Sequence, residues 1–305
     1  METLTTKELT LRYGENPHQK AQFIGNLDDI FEKISGKELS YNNLLDIDAA
    51  MKLSKDITDG HFAILKHNNA CGISTGDDSL DCWKSALSCD PVSAFGGIII
   101  TNFDINEIVA GEINKLFFEV LLAPSYSKEA LQVLTKKENR IILKINSFEF
   151  TEKQVRTCLN GVLEQDLDTQ VEQVDSFTYV TAKAPNTQEI KDLILANKIA
   201  KHSKSNTIIL VKSGQLLGSG VGMTSRIDAL KLAISKSKEF GFDLAGSSMA
   251  SDAFFPFPDC VEIAADAGIT AIIQPGGSIK DNLSIDMCNS KGISMVLTGV
   301  RHFKH

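Results

Sequence analysis

The chain lacks the features that would take it to a membrane. No apolar run approaches the roughly 20 residues that a spanning helix needs. The opening segment, METLTTKELTLRYGENPHQK, has no apolar stretch of the signal-peptide kind. A cytoplasmic protein that touches no membrane is the expectation. Basic charge is also short. The formal net charge is −8, which argues against a general nucleic-acid or anionic-lipid surface, since both need a net basic face. A few convergent cations could still build a pocket for an anionic small molecule. The six cysteines include no C-x-x-C pair, so reduced thiols are expected rather than a disulfide framework. H-E-x-x-H is absent, as is H-x-E followed by P-C-x-x-C, which removes the common zinc signatures. Among the histidines only His302 and His305 stand at helical spacing, in a C-terminal tail with no acid or cysteine nearby. Neither G-x-G-x-x-G nor a Walker A motif occurs, which sets aside dinucleotide and nucleoside triphosphate binding.

Against those absences stands ample apolar material. Hydrophobic residues make up 43% of the 305, enough for a sizeable core, and the length suggests two compact units. Short apolar runs alternate with amphipathic stretches. Residues 61–65 (HFAIL), 97–101 (GIIIT), 120–123 and 141–143 read as strands, with helices over 104–116 and 128–135. Further on, Asn186 and Glu189 form a capping box. It opens a helix with Ile190, Leu193 and Ile194 on one face, and Asn197 breaks that stripe. Residues 207–211 (TIILV) read as a strand. Ser225 and Asp228 offer a second capping box before another helix. Strands at 269–273 and 293–297 flank a helical stretch at 282–289. This alternation predicts an α/β fold with buried sheets. The polar segment 164–177 (EQDLDTQVEQVDSF) is the linker candidate, dividing the chain into halves 1–165 and 166–305.

Several segments could carry chemistry, and each also has a plain structural reading. Lys66 and His67 follow the HFAIL strand and precede a turn-like NNACG. A neighbouring ammonium favours the neutral, proton-accepting imidazole, which suits a general base; a surface dipeptide is the alternative. Arg12 heads a Gly- and Pro-containing loop and offers a planar fork for phosphate, or the loop simply packs on the body. Segment 90–97 (DPVSAFGG) puts paired glycines before a strand, for close ligand approach or for a tight turn. Segment 218–226 (GSGVGMTSR) is a Gly-rich loop ahead of a helix, able to cradle an anion or to serve as an ordinary connection. Segment 251–259 (SDAFFPFPD) sets apolar rings beside acids, as a wall for a flat heteroaromatic ligand or as core packing. The tail 298–305 (TGVRHFKH) is basic, or a frayed end.

Together, LRYGENPHQ, KHNNACG, DPVSAFGG, SNTIIL, GSGVGMTSRID, SDAFFPFPD, IIQPGGSI and TGVRHF, in this order, resemble the AICAR transformylase domain of the bifunctional purine biosynthesis protein. The likeness runs from about residue 11 to the C-terminus. It implies two cytidine-deaminase-like α/β/α units without catalytic zinc. It also implies transfer of the formyl group of 10-formyltetrahydrofolate to the 5-amino group of AICAR in IMP biosynthesis. The folate would be a cosubstrate, with no cofactor held permanently. A homodimer with shared active sites is implied. Family members usually carry an IMP cyclohydrolase domain ahead of these motifs, so a standalone transformylase working with a separate cyclohydrolase is the expectation.

Residue by residue, the resemblance makes His67 the proton acceptor and Lys66 the stabiliser of the transition state. Arg12, Tyr13, Gly96, Glu119, Asn206, Arg226, Phe254 and Arg301 would bind AICAR. Ile227, Asp259, Ser278 and Ile279 would bind the folate. The chain departs from the pattern at Ala70, where the family often has proline, and at Pro258, where many members have arginine. The competing reading is a non-catalytic scaffold for a cyclohydrolase. A scaffold has no chemical need for the Lys66–His67 pair.

Overall fold

The computed structural model describes residues 7–146 and 149–305. Residues 1–6, the start of the segment searched above for a leader, lie outside it. A hairpin of β1 (Lys7–Leu11) and β2 (Ala21–Gly25) comes first, followed by β3 (Phe31–Ser35). The first half then runs α1 (Tyr41–Asp56), β4 (His61–Lys66), β5 (Asn69–Thr75), α2 (Ser79–Cys89), β6 (Ile98–Thr101), α3 (Glu107–Ile113), β7 (Val120–Ala123), α4 (Lys128–Leu134) and β8 (Ile141–Ile145). An exposed hairpin of β9 (Lys153–Cys158) and β10 (Gly161–Asp166) leads to β11 (Thr178–Tyr179). The second half repeats the same order: α5 (Thr187–Lys201), β12 (Ile208–Lys212), β13 (Gln215–Gly220), α6 (Arg226–Glu239), β14 (Ser248–Ser251), α7 (Asp259–Asp266), β15 (Ala271–Gln274), α8 (Asp281–Lys291) and β16 (Ser294–Leu297).

One 12-stranded sheet holds both halves, in the order β11-β16-β15-β14-β12-β13-β5-β4-β6-β7-β8-β3. Each half contributes an antiparallel hairpin at the middle and three parallel strands outside it. The hairpins meet edge to edge, with Gln215 opposite Ser74. On one face α1 and α5 share a core cluster that crosses the seam. On the other, α2 to α4 and α6 to α8 cover separate clusters. β6 and β7 are buried throughout, and each Ile or Leu so removed from water contributes about 1.5–3 kcal/mol. Among the described residues no helix is long and apolar enough to cross a membrane.

The local sequence explains the element ends. Asn186 and Glu189 form the full capping box expected for α5. At α6 only Ser225 caps, accepting from the Asp228 N–H, so the second box is one-sided. The helix expected over 104–116 is shorter, because the Asn106 side chain caps it by accepting from Val109. Asn197 interrupts the apolar stripe of α5 for a reason: its buried amide donates to Glu172 at 2.7 Å. The expected linker is therefore not a free connection. It ends with Phe177 in the core, and its first three residues complete β10.

The Gly-rich segment 218–226 is not all loop either, since its first three residues complete β13. A Cβ on Gly218 or Gly220 would strike the carbonyls of Ala233 and Ala229 in α6, as one on Gly72 would strike Ala86 in α2. These glycines let each helix lie directly on its strand. Gly220→Ala should destabilise the fold by about 1–3 kcal/mol through overpacking. Gly111→Ala in α3, where an added Cβ meets nothing, should stabilise it by about 0.5–1 kcal/mol. Thermal melts of the two variants against the parent check both signs.

Candidate active site

Antiparallel pairing decides which strand ends meet. Lys66 ends β4 opposite Asn69, and Leu65 pairs with Ile98 at the start of β6. Ile208 at the start of β12 pairs with Gly220 on one side and Ser251 on the other. Lys66, His67, Gly96, Glu119, Asn206 and Arg226, with the loops that follow β14, β15 and β16, thus line one edge of the sheet. An open α/β sheet offers this kind of loop-lined edge to ligands.

At its middle, β4 runs into a tight turn. His67 and Asn68 both take left-handed backbone angles, with φ of 51° and 64°. Asp46 of α1 accepts the Asn68 N–H at 2.6 Å, and the Asn69 side chain donates to the His67 carbonyl at 2.8 Å. The His67 ring is left exposed. Lys66 turns the other way, and its Nζ donates to the Phe95 carbonyl at 2.8 Å. Gly96 follows at a φ of 74° and donates to the Phe117 carbonyl at 2.8 Å. Glu119 donates its N–H to Gly97, while its carboxylate pairs with Lys37 at 2.5 Å.

A cavity of about 280 Å³ opens beside this turn, between α2 and α6, with Lys66, His67, Cys71, Cys89, Asp90 and Lys236 among its walls. Asp90 and Lys236 pair across it at 2.8 Å. Burial works against the Asp90 charge, but the Lys236 ammonium and Ser93 hold its carboxyl below the usual range. Burial pushes both Cys71 and Cys89 up to about 12. These are neutral thiols near pH 7 and poor nucleophiles. Among the described residues no three His, Cys, Asp or Glu side chains are placed to hold a metal ion.

A second group gathers around Arg226. Its Nη1 donates to Ser251 Oγ at 2.8 Å and to Asp252 Oδ1 at 2.5 Å, and its Nη2 donates to Asn206 Oδ1 at 2.8 Å. Asn206 in turn donates to the Met223 carbonyl at 2.9 Å. Ile227 packs half-buried on the α6 core. Beyond Asp252, Phe254 and Phe257 are exposed, and Lys280 stands 4.9 Å over the Phe257 ring. Asp259 opens α7. Ser278 and Gly277 give their N–H groups to Asp281, and Ile279 projects fully into solvent.

The tail is not frayed. Ser205 donates to the Lys304 carbonyl at 2.9 Å, and His302 donates its N–H to Asp252 at 3.2 Å. The His302 ring is buried between Asp168 Oδ2 at 2.7 Å and Glu172 Oε1 at 2.9 Å. The expectation of no acid nearby is thus corrected: the acids arrive from the 164–177 segment. Both ring nitrogens face carboxylates, so both carry protons. Burial opposes that charge, but the two acids outweigh it and raise the pKa to about 9. Burial likewise disfavours the Asp168 and Glu172 charges, yet His302 holds both below their usual range. Arg301, next along, lies over the Phe303 ring at 4.3 Å.

Arg12 and Tyr13 belong to the β1–β2 loop, where the guanidinium sits 5.5 Å over the ring. That loop is tied to α1 by Asn42, which donates to the Glu15 carbonyl at 3.2 Å. Asn42 and Asp46 are one helical turn apart, so this loop and the His67 turn face the same side of α1. The nominated residues therefore form two sets. Lys66, His67, Gly96 and Glu119 are joined through Phe95 and Gly97. Asn206, Arg226, Phe254 and Arg301 gather about Asp252. Glu119 just before β7 and Phe254 beyond β14 are six strand steps apart, about 29 Å at the usual inter-strand spacing. Asp46 and Lys236 lie outside every segment singled out from sequence, while Asp90 and His302 lie within DPVSAFGG and TGVRHF but had no role assigned. Each gains its role from partners distant in the chain.

The family model described as AICARFT/IMPCHase bienzyme matches residues 1–236. The chain is 60% identical over 295 residues to the bifunctional purine biosynthesis protein PurH of Bacteroides thetaiotaomicron, covering 97% of this chain and 58% of that protein. It is 46% identical over 301 residues to PurH of Aquifex aeolicus, covering 97% and 59%. The chain thus spans about three fifths of the length of these curated relatives. A dCMP deaminase from the cyanophage S-TIM5, solved with dCMP and dUMP, aligns at a TM-score of 0.28 and 21% identity, over 36% of this chain and 98% of that one. At that score it carries no weight for the fold.

The His302 clamp predicts a pH signature. A pKa raised from its ordinary 6.5 to about 9 makes the contribution to stability full below pH 6.5 and lost as pH rises through 9. Denaturant titrations between pH 6 and 10 should show a decline on the order of 2 kcal/mol, absent in His302→Gln.

Proposed function

The chain belongs to the AICARFT/IMPCHase bienzyme family, and on that premise we propose that it transfers the formyl group of 10-formyltetrahydrofolate to the 5-amino group of AICAR. The products are formyl-AICAR and tetrahydrofolate, on the route to IMP. The observation that carries this reading is the turn at the end of β4. It exposes the His67 ring beside a cavity and anchors the adjacent Lys66 ammonium on the Phe95 carbonyl. The AICAR amine is a poor nucleophile because its lone pair is delocalised into the ring and carboxamide. Attack on the formyl carbon becomes productive when the amine loses its proton as the bond forms. His67 accepts that proton, a contribution of about 10²–10⁴-fold. Lys66 keeps donor capacity beyond its bond to Phe95 and stabilises the oxyanion of the tetrahedral intermediate or protonates the departing N10.

Asn206 and Arg226 are preset against each other by hydrogen bonds, which suits a fixed carboxamide-recognition corner. Arg12 and Arg301 are exposed cations that suit the phosphate. Tyr13, Gly96, Glu119 and Phe254 complete the proposed AICAR set, and Ile227, Asp259, Ser278 and Ile279 the folate set. One AICAR molecule cannot bridge the distance of about 29 Å between Glu119 and Phe254, whereas the loop before β12 adjoins the His67 turn. We therefore assign the His67–Glu119 set and the Phe254–Arg301 end of the other set that meet in one site to different copies of a homodimer. The repeated element order fits two cytidine-deaminase-like units, divided near residues 165 and 166, and we place the protein in the cytoplasm. Purified protein with both substrates should release tetrahydrofolate, followed by absorbance, and His67→Ala should lose at least about a hundredfold in kcat. Arg301→Ala should raise the AICAR KM about tenfold or more, the scale of one lost charged hydrogen bond. A parent protein without turnover would overturn the transferase reading.

A further inference from the structure

The Lys66–His67 pair stands on an unusual piece of backbone. Two consecutive non-glycine residues, His67 and Asn68, hold positive φ, a conformation few side chains adopt unaided and one that needs support from its surroundings. The Asn69 side chain holds the His67 carbonyl at 2.8 Å, and the support for Asn68 comes from α1. Asp46, in the second turn of α1, accepts the Asn68 N–H at 2.6 Å. α1 is itself fixed by the Ser40–Asn43 capping box at its start and by the buried Asp56–Lys201 ion pair, at 2.8 Å, at its end. The brace is therefore mounted on a rigid element. Burial raises the Asp46 carboxyl above its usual range, while the Asn68 N–H and the nearby His67 pull it back.

We propose that Asp46 is a positioning residue that holds the Lys66–His67 turn in its left-handed form and sets a negative charge behind the His67 ring. The inference rests on the formyl-transfer reading of that turn. The charged groups that face the turn set the balance. Lys66 lies on its own strand. Lys204 belongs to the loop whose N–H reaches Asn69 at 3.5 Å. Asp90 and Lys236, on the far side of the cavity, neutralise each other. Lys66 and Lys204 oppose a positive imidazole, and Asp46 favours it. Charge therefore develops on His67, as it takes the amine proton, beside a carboxylate that lowers its energy.

Two substitutions separate the hydrogen bond from the charge. Asp46→Asn keeps an acceptor oxygen for the Asn68 N–H and removes the charge. Asp46→Ala removes both. Amide hydrogen exchange at Asn68, read by NMR, should be slow in the parent and in Asp46→Asn, and at least about tenfold faster in Asp46→Ala. In the transfer assay Asp46→Asn should stay within about fivefold of the parent kcat, with the acid limb of the rate profile moved to lower pH. Asp46→Ala should lose about tenfold or more in kcat, with the AICAR KM within about threefold of the parent. Unchanged exchange at Asn68 in Asp46→Ala would overturn the brace. An acid limb that does not move in Asp46→Asn would overturn the charge. If Asp46→Ala fails to fold, Asp46→Asn decides the charge and Asp46→Ser, which is too short to reach Asn68, replaces it for the brace. A parent with no turnover counts against the transfer reading, while the exchange measurement still tests the brace.

Discussion

The antiparallel seam between β5 and β13 is the contact on which the site depends. It is narrow: Gln215 faces Ser74, and the Thr75 N–H reaches the Gly214 carbonyl at 2.8 Å. Ion pairs guard it on both faces, Asp56 with Lys201 between α1 and α5, and Asp90 with Lys236 between the end of α2 and α6. Asp56 also pairs with His202 at 2.7 Å, and losing Asp56 would leave the buried Lys201 charge without this partner, at a cost of several kcal/mol. Because each half presents a hairpin to the seam, and the hairpins run antiparallel across it, the loop after β4 and the loop before β12 emerge on the same edge. A parallel seam would put Asn206 and Arg226 at the far edge from His67.

The same sheet that aligns the loops also spreads them. Strands are spaced at about 4.8 Å, so loops from neighbouring strands can share a small ligand and loops from distant strands cannot. Val92, Phe95, Phe254, Phe257 and Ile279 are exposed in these loops, and Val155, Leu159, Val162 and Leu163 are exposed on the β9–β10 hairpin. The tail belongs to this logic. The His302 clamp draws residues 302–304 back toward Asp252 and Ser205, so the chain after β16 returns beside the Arg226 group.

Much of this was legible in the sequence, and the remainder was hidden for definite reasons. The β-branched runs IIIT, IILV and AIIQ are buried on both faces and declared themselves as strands. Asn186 and Ser225 marked helix starts. The α/β class followed from the alternation. β5 and β13 were harder to see, since NACGIST and QLLGSG carry the glycines that admit α2 and α6 and so lose the β-branched signal. The edge-to-edge union of the halves leaves no local trace. At the site, Lys66 and His67 stood out because they directly follow a strand, and the motif resemblance located the loops. Asp46, Asp168 and Glu172 sat in ordinary polar surroundings, and only the fold brings each to its histidine or its turn.

Subunit complementation tests the shared-site account most directly. His67→Ala and Arg301→Ala proteins would be mixed, unfolded mildly, allowed to reassociate, and assayed for tetrahydrofolate release at AICAR well below the raised KM of Arg301→Ala, where each variant alone turns over slowly. Random pairing makes half the dimers mixed, and each mixed dimer carries one intact site of two if the sets come from different copies. The account predicts recovery to about a quarter of parental activity. Activity that stays at the sum of the two separate variants, with mixed dimers confirmed by native mass spectrometry, would contradict it and return both sets to a single chain.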